Sequence, residues 1–384
     1  MAFFVGKLDI LVAISYNQYS LGKKAVKKGE KLGKMKTYNE LFNENIKYTI
    51  STGIKLLHDF PESRKSLKHF LKYFPQATKL RESNRKQGII VPQLLIISTT
   101  AMCNLNCVGC YAKKTRHKKE QEITKQQITT LFSQAVEAGC SVVLLAGGEP
   151  LLSKDWLDAL AGQPELLGLV FTNGTLLNNK RADWFAEKRN MVPLFSIEGD
   201  WQETDHRRGN GVASQVECAM QLLHQRNIPF GISVTAGDHN IEKITDYVFL
   251  DEFVALGCRL FIFPEYVPVD DNDLLKVLSE KNKEKLQDFC RHTAIEKKLL
   301  MIQFPGDETP FDGCLAAGRG FAHISVDGDL EPCPFAEYSD RNVFATSLKE
   351  ALTSPLFAKI RGESHLLSEK VGGCALRDLK LQDH

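Results

Sequence analysis

Three cysteines lie within eight residues of one another, in the run Cys103-Asn-Leu-Asn-Cys107-Val-Gly-Cys110. They directly follow a predicted buried strand, so we expect one loop on which the three thiolates converge on a metal centre. Zinc usually takes a fourth protein ligand, yet the nearest further candidate is His117, seven residues on. A [4Fe–4S] cluster held by three thiolates leaves one iron atom open to another ligand. An iron–sulfur cluster, a zinc site and three cysteines without any ligand are the alternatives.

Short apolar segments alternate with amphipathic segments between residues 91 and 305. This alternation predicts an α/β fold in which parallel strands are joined by right-handed crossovers, as in a full or partial (β/α) barrel. Chemistry in such barrels takes place at the carboxyl ends of the strands. The predicted strands are 94–98, 142–146, 169–172, 194–197, 230–234, 260–263 and 299–304. The predicted helices are 124–138, 180–188, 213–225, 241–256 and 273–298.

The chain divides into three predicted parts. Residues 1–90 form a basic helical segment, with a helix at 63–73 that Pro75 ends and a polar linker at 81–88. Residues 91–305 form the barrel. Residues 306–384 contain strands at 323–326 and 330–333 that an Asp-Gly turn joins into a hairpin, then a helix at 348–360 and a tail.

The net charge of +2 conceals an asymmetry along the chain of 384 residues. Residues 1–90 hold 18 Lys and Arg against 7 Asp and Glu, whereas the rest holds 31 against 40. A basic helical segment with apolar stripes suits contact with an anionic membrane surface. Contact with an acidic peptide or carrier protein, or a solvated basic face without a partner, are the alternatives. The charge also suits nucleic acid, but no nucleic-acid-binding motif accompanies it, so we do not expect this partner.

The sequence has no run of the roughly 18 to 20 apolar residues that span a bilayer, and no convincing secretory cleavage site. We therefore expect a cytoplasmic protein whose thiols stay reduced, with the basic segment as a candidate contact to the inner membrane face. The cysteines outside the clusters are expected to be core residues: Cys140, Cys218, Cys258 and Cys290.

The cysteine run with its following Tyr111 resembles the Cys-x3-Cys-x2-Cys motif of the radical S-adenosylmethionine (SAM) superfamily. Four further segments resemble motifs of that family in the same order, each at or after a predicted strand end. They are Gly147-Gly148-Glu149-Pro150, Thr172-Asn173-Gly174-Thr175, Ser196-Ile197-Glu198-Gly199 and Arg208-Gly209-Asn210-Gly211. The resemblance covers about residues 91–376 and implies a partial (β/α)6 radical SAM barrel.

The resemblance implies that SAM binds the open iron of a [4Fe–4S] cluster through its amine and carboxylate. An electron from the reduced cluster, supplied by a flavodoxin or ferredoxin, then cleaves SAM to a 5′-deoxyadenosyl radical that abstracts a hydrogen atom. The resemblance also implies that this chemistry is anaerobic. Glu149 or a carbonyl at the glycines would accept from the SAM amine, Ser196 and Arg208 would contact its carboxylate, and Glu198 would bind the ribose. The implied SAM-binding residues are Tyr111, Gly147, Gly148, Glu149, Ser196, Glu198 and Arg208.

A second set of cysteines resembles the SPASM or twitch extension of radical SAM enzymes. Cys314 is followed by 13 residues, Gly328, four residues and Cys333, and Cys374 comes later. The resemblance implies that a hairpin and a returning tail hold one auxiliary [4Fe–4S] cluster, because the ligands of a second auxiliary cluster are absent. Its fourth iron is open or bound by substrate, water or a group such as Asp312. The alternative is a structural cap that binds nothing. The surrounding sequence is similar to a SPASM-like subgroup from anaerobes.

Three polar residues are candidates for contacting substrate or moving a proton. Glu265 and Tyr266 follow the sixth predicted strand, and Asp200 follows the fourth. Related enzymes act on peptides, protein side chains, lipids and small metabolites, so the resemblance leaves the substrate and the reaction after hydrogen abstraction open. The alternative function is a non-catalytic iron–sulfur or zinc-binding protein on the same fold.

Overall fold

The structure is a computed structural model, described here for residues 64–114, 123–188, 190–268, 275–304, 313–368 and 376. Its described residues form one curled sheet of nine strands, in the order β7-β6-β5-β4-β3-β2-β1-β8-β9. Strands β1 to β8 pair in parallel, and β9 is antiparallel to β8. The strands are β1 Leu94–Ser98, β2 Val142–Ala146, β3 Leu167–Thr172, β4 Met191–Ile197, β5 Gly231–Val234, β6 Leu260–Pro264, β7 Leu300–Phe304, β8 Phe321–Ile324 and β9 Leu330–Glu331.

Helices connect consecutive parallel strands, as the alternation of segments predicted. The first crossover helix begins with a capping box, in which the Thr124 side chain accepts from the backbone N–H of Gln127 and the Gln127 side chain reaches back. The helices are α1 Arg64–Lys86, α2 Tyr111–Lys114, α3 Lys125–Ala138, α4 Lys154–Ala161, α5 Asn179–Glu187, α6 Trp201–Arg208, α7 Val212–Gln225, α8 Ile241–Ile244, α9 Tyr247–Ala255, α10 Glu280–Glu296, α11 Leu348–Leu352 and α12 Pro355–Gly362.

The sheet is a half-barrel whose strand ends gather the candidate site. Parallel register runs from Leu94 opposite Val142 to Ser98 opposite Ala146, so β1 and β2 end at the same level. The loops that follow the strands therefore emerge at one edge of the sheet. The structure therefore confirms the predicted partial (β/α) barrel, which is a half-barrel.

The helix predicted to end at Pro75 instead continues to Lys86, and the linker prediction for 81–88 is wrong. Proline usually interrupts a helix, but here tertiary contacts hold the segment beyond it. Asn84 donates from Nδ2 to the carbonyl of Ala138 at 2.9 Å, and Arg81 donates to Ser141 Oγ at 3.0 Å. The packing of α1 against the end of α3 and the residues before β2 thus outweighs the helix-breaking tendency of Pro75.

Two other predicted helices are divided in the structure. The segment 241–256 forms α8 and α9, because Asp246 caps the second helix by accepting from Val248 N–H at 2.9 Å. The segment 348–360 forms α11 and α12, because Ser354 and Pro355 provide the cap and first position of a new helix. Helix α10 begins at Glu280 instead of 273.

The C-terminal hairpin extends the main sheet, since β8 lies directly beside β1. Gly328 in its turn has φ +85°, and a Cβ there would lie 2.3 Å from Phe344 Cδ2, so both backbone and packing require glycine. None of the helices in the described ranges is long and apolar enough to cross a membrane. Residues 1–63, which carry most of the basic segment, lie outside the described residues.

Candidate active site

The cysteine loop follows β1 and ends at α2. Cys103, Cys107 and Cys110 are all half-buried and form no disulfide. The backbone N–H of Leu105 donates to Cys103 Sγ at 3.5 Å, and Lys113 Nζ donates to the Cys107 carbonyl at 2.8 Å. The loop therefore presents three partly accessible thiols at the edge of the sheet where the strands end.

Charge around Cys107 links the three thiols to two arginines. Burial raises the pKa of Cys107, the neighbouring Cys110 and Cys103 act in the same direction, and Arg208 and Arg207 oppose them. A bound metal centre relieves the repulsion between neighbouring cysteine thiolates. The nearby guanidinium groups favour the thiolate form of cysteine, which is the form that binds metal.

No three His, Cys, Asp or Glu side chains in the described parts of the chain are grouped as ligands of a single metal ion. A [4Fe–4S] cluster binds each cysteine through a different iron atom, so its ligands lie further apart than those of one ion. Three half-buried thiols on one loop, with guanidinium groups beside them, fit such a cluster.

The Gly147–Gly148 turn after β2 is fastened to the cysteine loop. Gly148 N–H donates to the carbonyl of Thr100 at 2.7 Å, and Glu149 N–H donates to the carbonyl of Met102 at 2.9 Å. Gly147 has φ +103°, and a Cβ on Gly148 would lie 1.9 Å from the Met102 carbonyl oxygen. Only glycine permits this approach of the two backbones.

We expect Gly148→Ala to displace the cysteine loop, because the new methyl group collides with backbone that no side-chain rotation can move. The expected cost is about 1–3 kcal/mol of stability, together with loss of most bound iron. Anaerobic iron and sulfide analysis with thermal unfolding measures both. Gly362→Ala is the matched control, since no atom lies within 4 Å of its added Cβ. Full iron content in Gly148→Ala would contradict the expectation.

Glu149 joins the ends of β2 and β3. Its buried carboxylate accepts hydrogen bonds from Leu151 N–H at 2.9 Å, Thr172 Oγ1 at 2.7 Å and Asn173 N–H at 2.8 Å. Burial raises the pKa of Glu149, and these hydrogen bonds act against that rise. Asn173 in turn places its Nδ2 3.8 Å from Cys103 Sγ, so the carboxylate also helps to position the third strand end against the cysteine loop.

Glu198, at the end of β4, forms a buried ion pair with two consecutive arginines of α6. Arg208 donates from Nε to its Oε1 at 2.9 Å, and Arg207 donates to its Oε2. Burial acts to raise the pKa of Glu198, but the two guanidinium groups outweigh it and lower the pKa. The two residues predicted to contact different parts of SAM, Glu198 and Arg208, are thus paired with each other.

Arg207 is a site residue that the sequence did not reveal. Its Nε donates to the carbonyl of Val108 at 3.1 Å, and Val108 N–H donates back to the Arg207 carbonyl at 3.0 Å. Arg207 therefore clamps the cysteine loop to the end of β4. The only indication in the sequence was that Arg207 directly precedes Arg208. Adjacency alone does not tell which of the two arginines contacts the cysteine loop.

A family model for the radical SAM superfamily matches residues 97–250, which contain all of these strand ends. A probable GTP 3′,8-cyclase of Methanosarcina mazei is 32% identical over 285 residues, which cover 66% of this chain and 82% of that protein. The chain belongs to the radical SAM superfamily.

Other radical SAM proteins resemble this one over most of its length. An AdoMet-dependent heme synthase of Methanosarcina barkeri is 27% identical over 310 residues, covering 74% of this chain and 88% of the relative. Streptococcus suis SuiB bound to S-adenosylmethionine has the same fold, with a TM-score of 0.62 and 18% identity over 79% of this chain and 76% of that one.

Two further residues of the predicted SAM site lie on β4 and at the start of α2. Ser196 is half-buried on β4, opposite Ser233 of β5. The Tyr111 ring lies 5.3 Å from the Phe335 ring, centroid to centroid, and burial raises the pKa of Tyr111 to about 12. Tyr111 therefore lies between the cysteine loop and the C-terminal hairpin.

The candidate substrate residues have protein partners. Asp200 caps α6 by accepting from Glu203 N–H at 2.8 Å, and it pairs with Lys243 at 2.6 Å. Glu265 accepts from Gln303 Nε2 at 2.9 Å, beyond the paired ends of β6 and β7. Tyr266 is buried, and its N–H donates to the Ala236 carbonyl at 2.9 Å. Asp200 thus has a clear structural task, whereas Glu265 and Tyr266 lie at the strand ends.

The auxiliary cysteines are only partly described. Cys314 is half-buried and Cys333 is buried, and Ala317 N–H donates to the Pro332 carbonyl at 3.1 Å, which joins their segments. Cys374 and Asp312 lie outside the described residues. Of the four cysteines predicted to be core residues, Cys218 is exposed on α7, so that prediction is wrong for it.

Proposed function

We propose that the protein reductively cleaves SAM at a [4Fe–4S] cluster held by Cys103, Cys107 and Cys110, and abstracts a hydrogen atom from its substrate. The observation that carries this proposal is the attachment of the cysteine loop to two other strand ends, through the Gly147–Gly148 turn and Arg207. When bound, the cluster and SAM supply a 5′-deoxyadenosyl radical. A flavodoxin or ferredoxin is the proposed reductant.

The ion pair of Glu198 and Arg208 at the end of β4 still has hydrogen-bonding groups available to SAM. Arg208 uses Nε and Nη2 for Glu198, which leaves further N–H groups for the SAM carboxylate. A carboxylate has about four acceptor positions, so Glu198 can accept from a ribose hydroxyl while it holds both arginines. Ser196 adds a hydroxyl beside this pair. The backbone of Gly147 and Gly148, with Glu149 behind it, offers acceptors to the SAM amine, and Tyr111 closes the other side.

We further propose one auxiliary [4Fe–4S] cluster, bound by Cys314, Cys333 and Cys374. The backbone hydrogen bond from Ala317 N–H to the Pro332 carbonyl supports this cluster, because it joins the segments that carry Cys314 and Cys333. Glu265 and Tyr266 are the proposed substrate contacts. The names of two relatives refer to different compounds, heme in one and GTP in the other. We therefore propose the radical step, which the family shares, and name no substrate.

The test is anaerobic reconstitution with iron and sulfide, followed by reduction with dithionite in the presence of SAM. We expect a brown protein with about eight iron atoms per chain, of two four-iron clusters, that forms 5′-deoxyadenosine detectable by chromatography. Cys333→Ala should retain about half of the iron and the SAM-dependent product. A colourless, zinc-loaded protein that leaves SAM intact would instead support the non-catalytic alternative.

A further inference from the structure

Three buried side chains form a continuous hydrogen-bonded chain beside the SAM motifs. Ser98 Oγ lies 2.8 Å from His323 Nε2, and His323 Nδ1 lies 2.7 Å from Glu331 Oε2. Their residues are 8%, 5% and 2% exposed, respectively. None of the three belongs to the motifs from which the proposed function was argued.

Strand register explains why these residues meet. Ile96 of β1 lies opposite His323 of β8, and His323 lies opposite Glu331 of β9. Ser98 is two residues beyond Ile96, so its side chain is on the same face of the sheet. Three adjacent strands thus place a hydroxyl, an imidazole and a carboxylate in a row on one face.

The row reaches the Gly147–Gly148 turn. The three residues line a small cavity of about 20 Å³ together with Thr100, Gly147 and Gly148. Ser98 packs directly against Gly147, since a Cβ on that glycine would lie 3.1 Å from Ser98 Cα and 3.2 Å from Ser98 Cβ. A cavity of this size holds about one water molecule, so it suits the positioning of neighbouring groups and does not suit substrate binding.

The imidazole of His323 uses both of its ring nitrogens in this row, with Nε2 next to the Ser98 hydroxyl and Nδ1 next to the Glu331 carboxylate. The same order of hydroxyl, imidazole and carboxylate orients groups in hydrolase triads. Here it orients the last residue of β1, immediately before the cysteine loop.

We propose that Ser98, His323 and Glu331 are a positioning relay that holds the Gly147–Gly148 turn in the conformation that binds the SAM amine. This inference rests on the proposed function. Glu331 lies two residues before Cys333, so the relay also joins the SAM-binding turn to the hairpin of the auxiliary cysteines. Through the relay, the position of the C-terminal hairpin affects the affinity of the protein for SAM.

The test compares Ser98→Ala and His323→Gln with the wild-type holoenzyme. We expect the dissociation constant for SAM to rise about tenfold in each variant, as loss of an orienting hydrogen bond predicts. The SAM-induced change in the electron paramagnetic resonance spectrum of the reduced cluster should need correspondingly more SAM. Iron content and the spectrum without SAM should stay unchanged, which a merely destabilising substitution would not produce.

Thr293→Val is the matched control, because it removes a buried hydroxyl on α10, a helix that packs on β7 and supplies no residue to the relay or to the cavity beside it. It should leave SAM affinity unchanged. Wild-type affinity in both Ser98→Ala and His323→Gln would overturn the relay alone. A reconstituted wild-type protein that does not bind SAM would overturn the proposed function and, with it, the role of the relay.

Discussion

Cys107→Ala is expected to abolish SAM cleavage, with a fall of at least about a thousandfold to the background rate. Cys107 is the central cysteine of the loop, and burial together with its two neighbouring thiols raises its pKa against the opposing effect of Arg208 and Arg207. Without this ligand only two thiolates remain for the proposed cluster, which is then not retained, and the iron atom that would bind SAM is lost with it. Formation of 5′-deoxyadenosine under dithionite is the measurement.

Two other cysteine variants make this result specific. Cys218→Ala removes an exposed thiol on α7 and should cleave SAM at the wild-type rate. Cys333→Ala should lower the iron content and still cleave SAM, because the cysteine loop is intact. Cleavage by Cys107→Ala at the wild-type rate would show that the cluster ligands are assigned wrongly.

Glu198→Gln is expected to destabilise the folded protein by about 3–5 kcal/mol, because it leaves two guanidinium groups at a buried site without their negative partner. The Glu198 side chain is 4% exposed, and those of Arg207 and Arg208 are 13% exposed. Because Arg207 also holds the Val108 backbone, the iron content should fall as well. Chemical denaturation measures the stability, and iron analysis measures the second effect.

Asp183→Asn provides the matched control for Glu198→Gln. It removes the partner of Arg226 in an ion pair whose acidic side chain is 65% exposed, so the expected cost is at most about 1 kcal/mol. Equal stability losses in the two variants would contradict the special role of the buried pair.

The same pair predicts a dependence of stability on pH. The two arginines lower the pKa of Glu198 in the folded state, so folding favours its ionised form. Its contribution is complete above the unfolded pKa, about 4.3, and is lost as the pH falls towards the folded pKa. Wild-type stability should therefore decline more steeply below about pH 4 than that of Glu198→Gln.

The sequence was sufficient for the order of the barrel strands and the edge at which the motifs gather. Alternation of apolar and amphipathic segments predicts parallel strands, and every parallel strand followed by a crossover helix ends at the same edge. The first two strands were predicted at their observed bounds, 94–98 and 142–146, because each is a short apolar run next to a recognisable motif. These are local patterns, readable from neighbouring residues.

Contacts between distant residues were decided only by the tertiary structure. Helix α1 continues through Pro75 because Asn84 and Arg81 dock it onto residues more than fifty positions away. Arg207 and Arg208 both pair with Glu198, and Arg207 alone also donates to the Val108 carbonyl of the cysteine loop. Ser98 and His323 are 225 positions apart and meet because β8 pairs with β1. No local pattern specifies such pairings, since strand register and helix docking depend on the packing of the whole sheet.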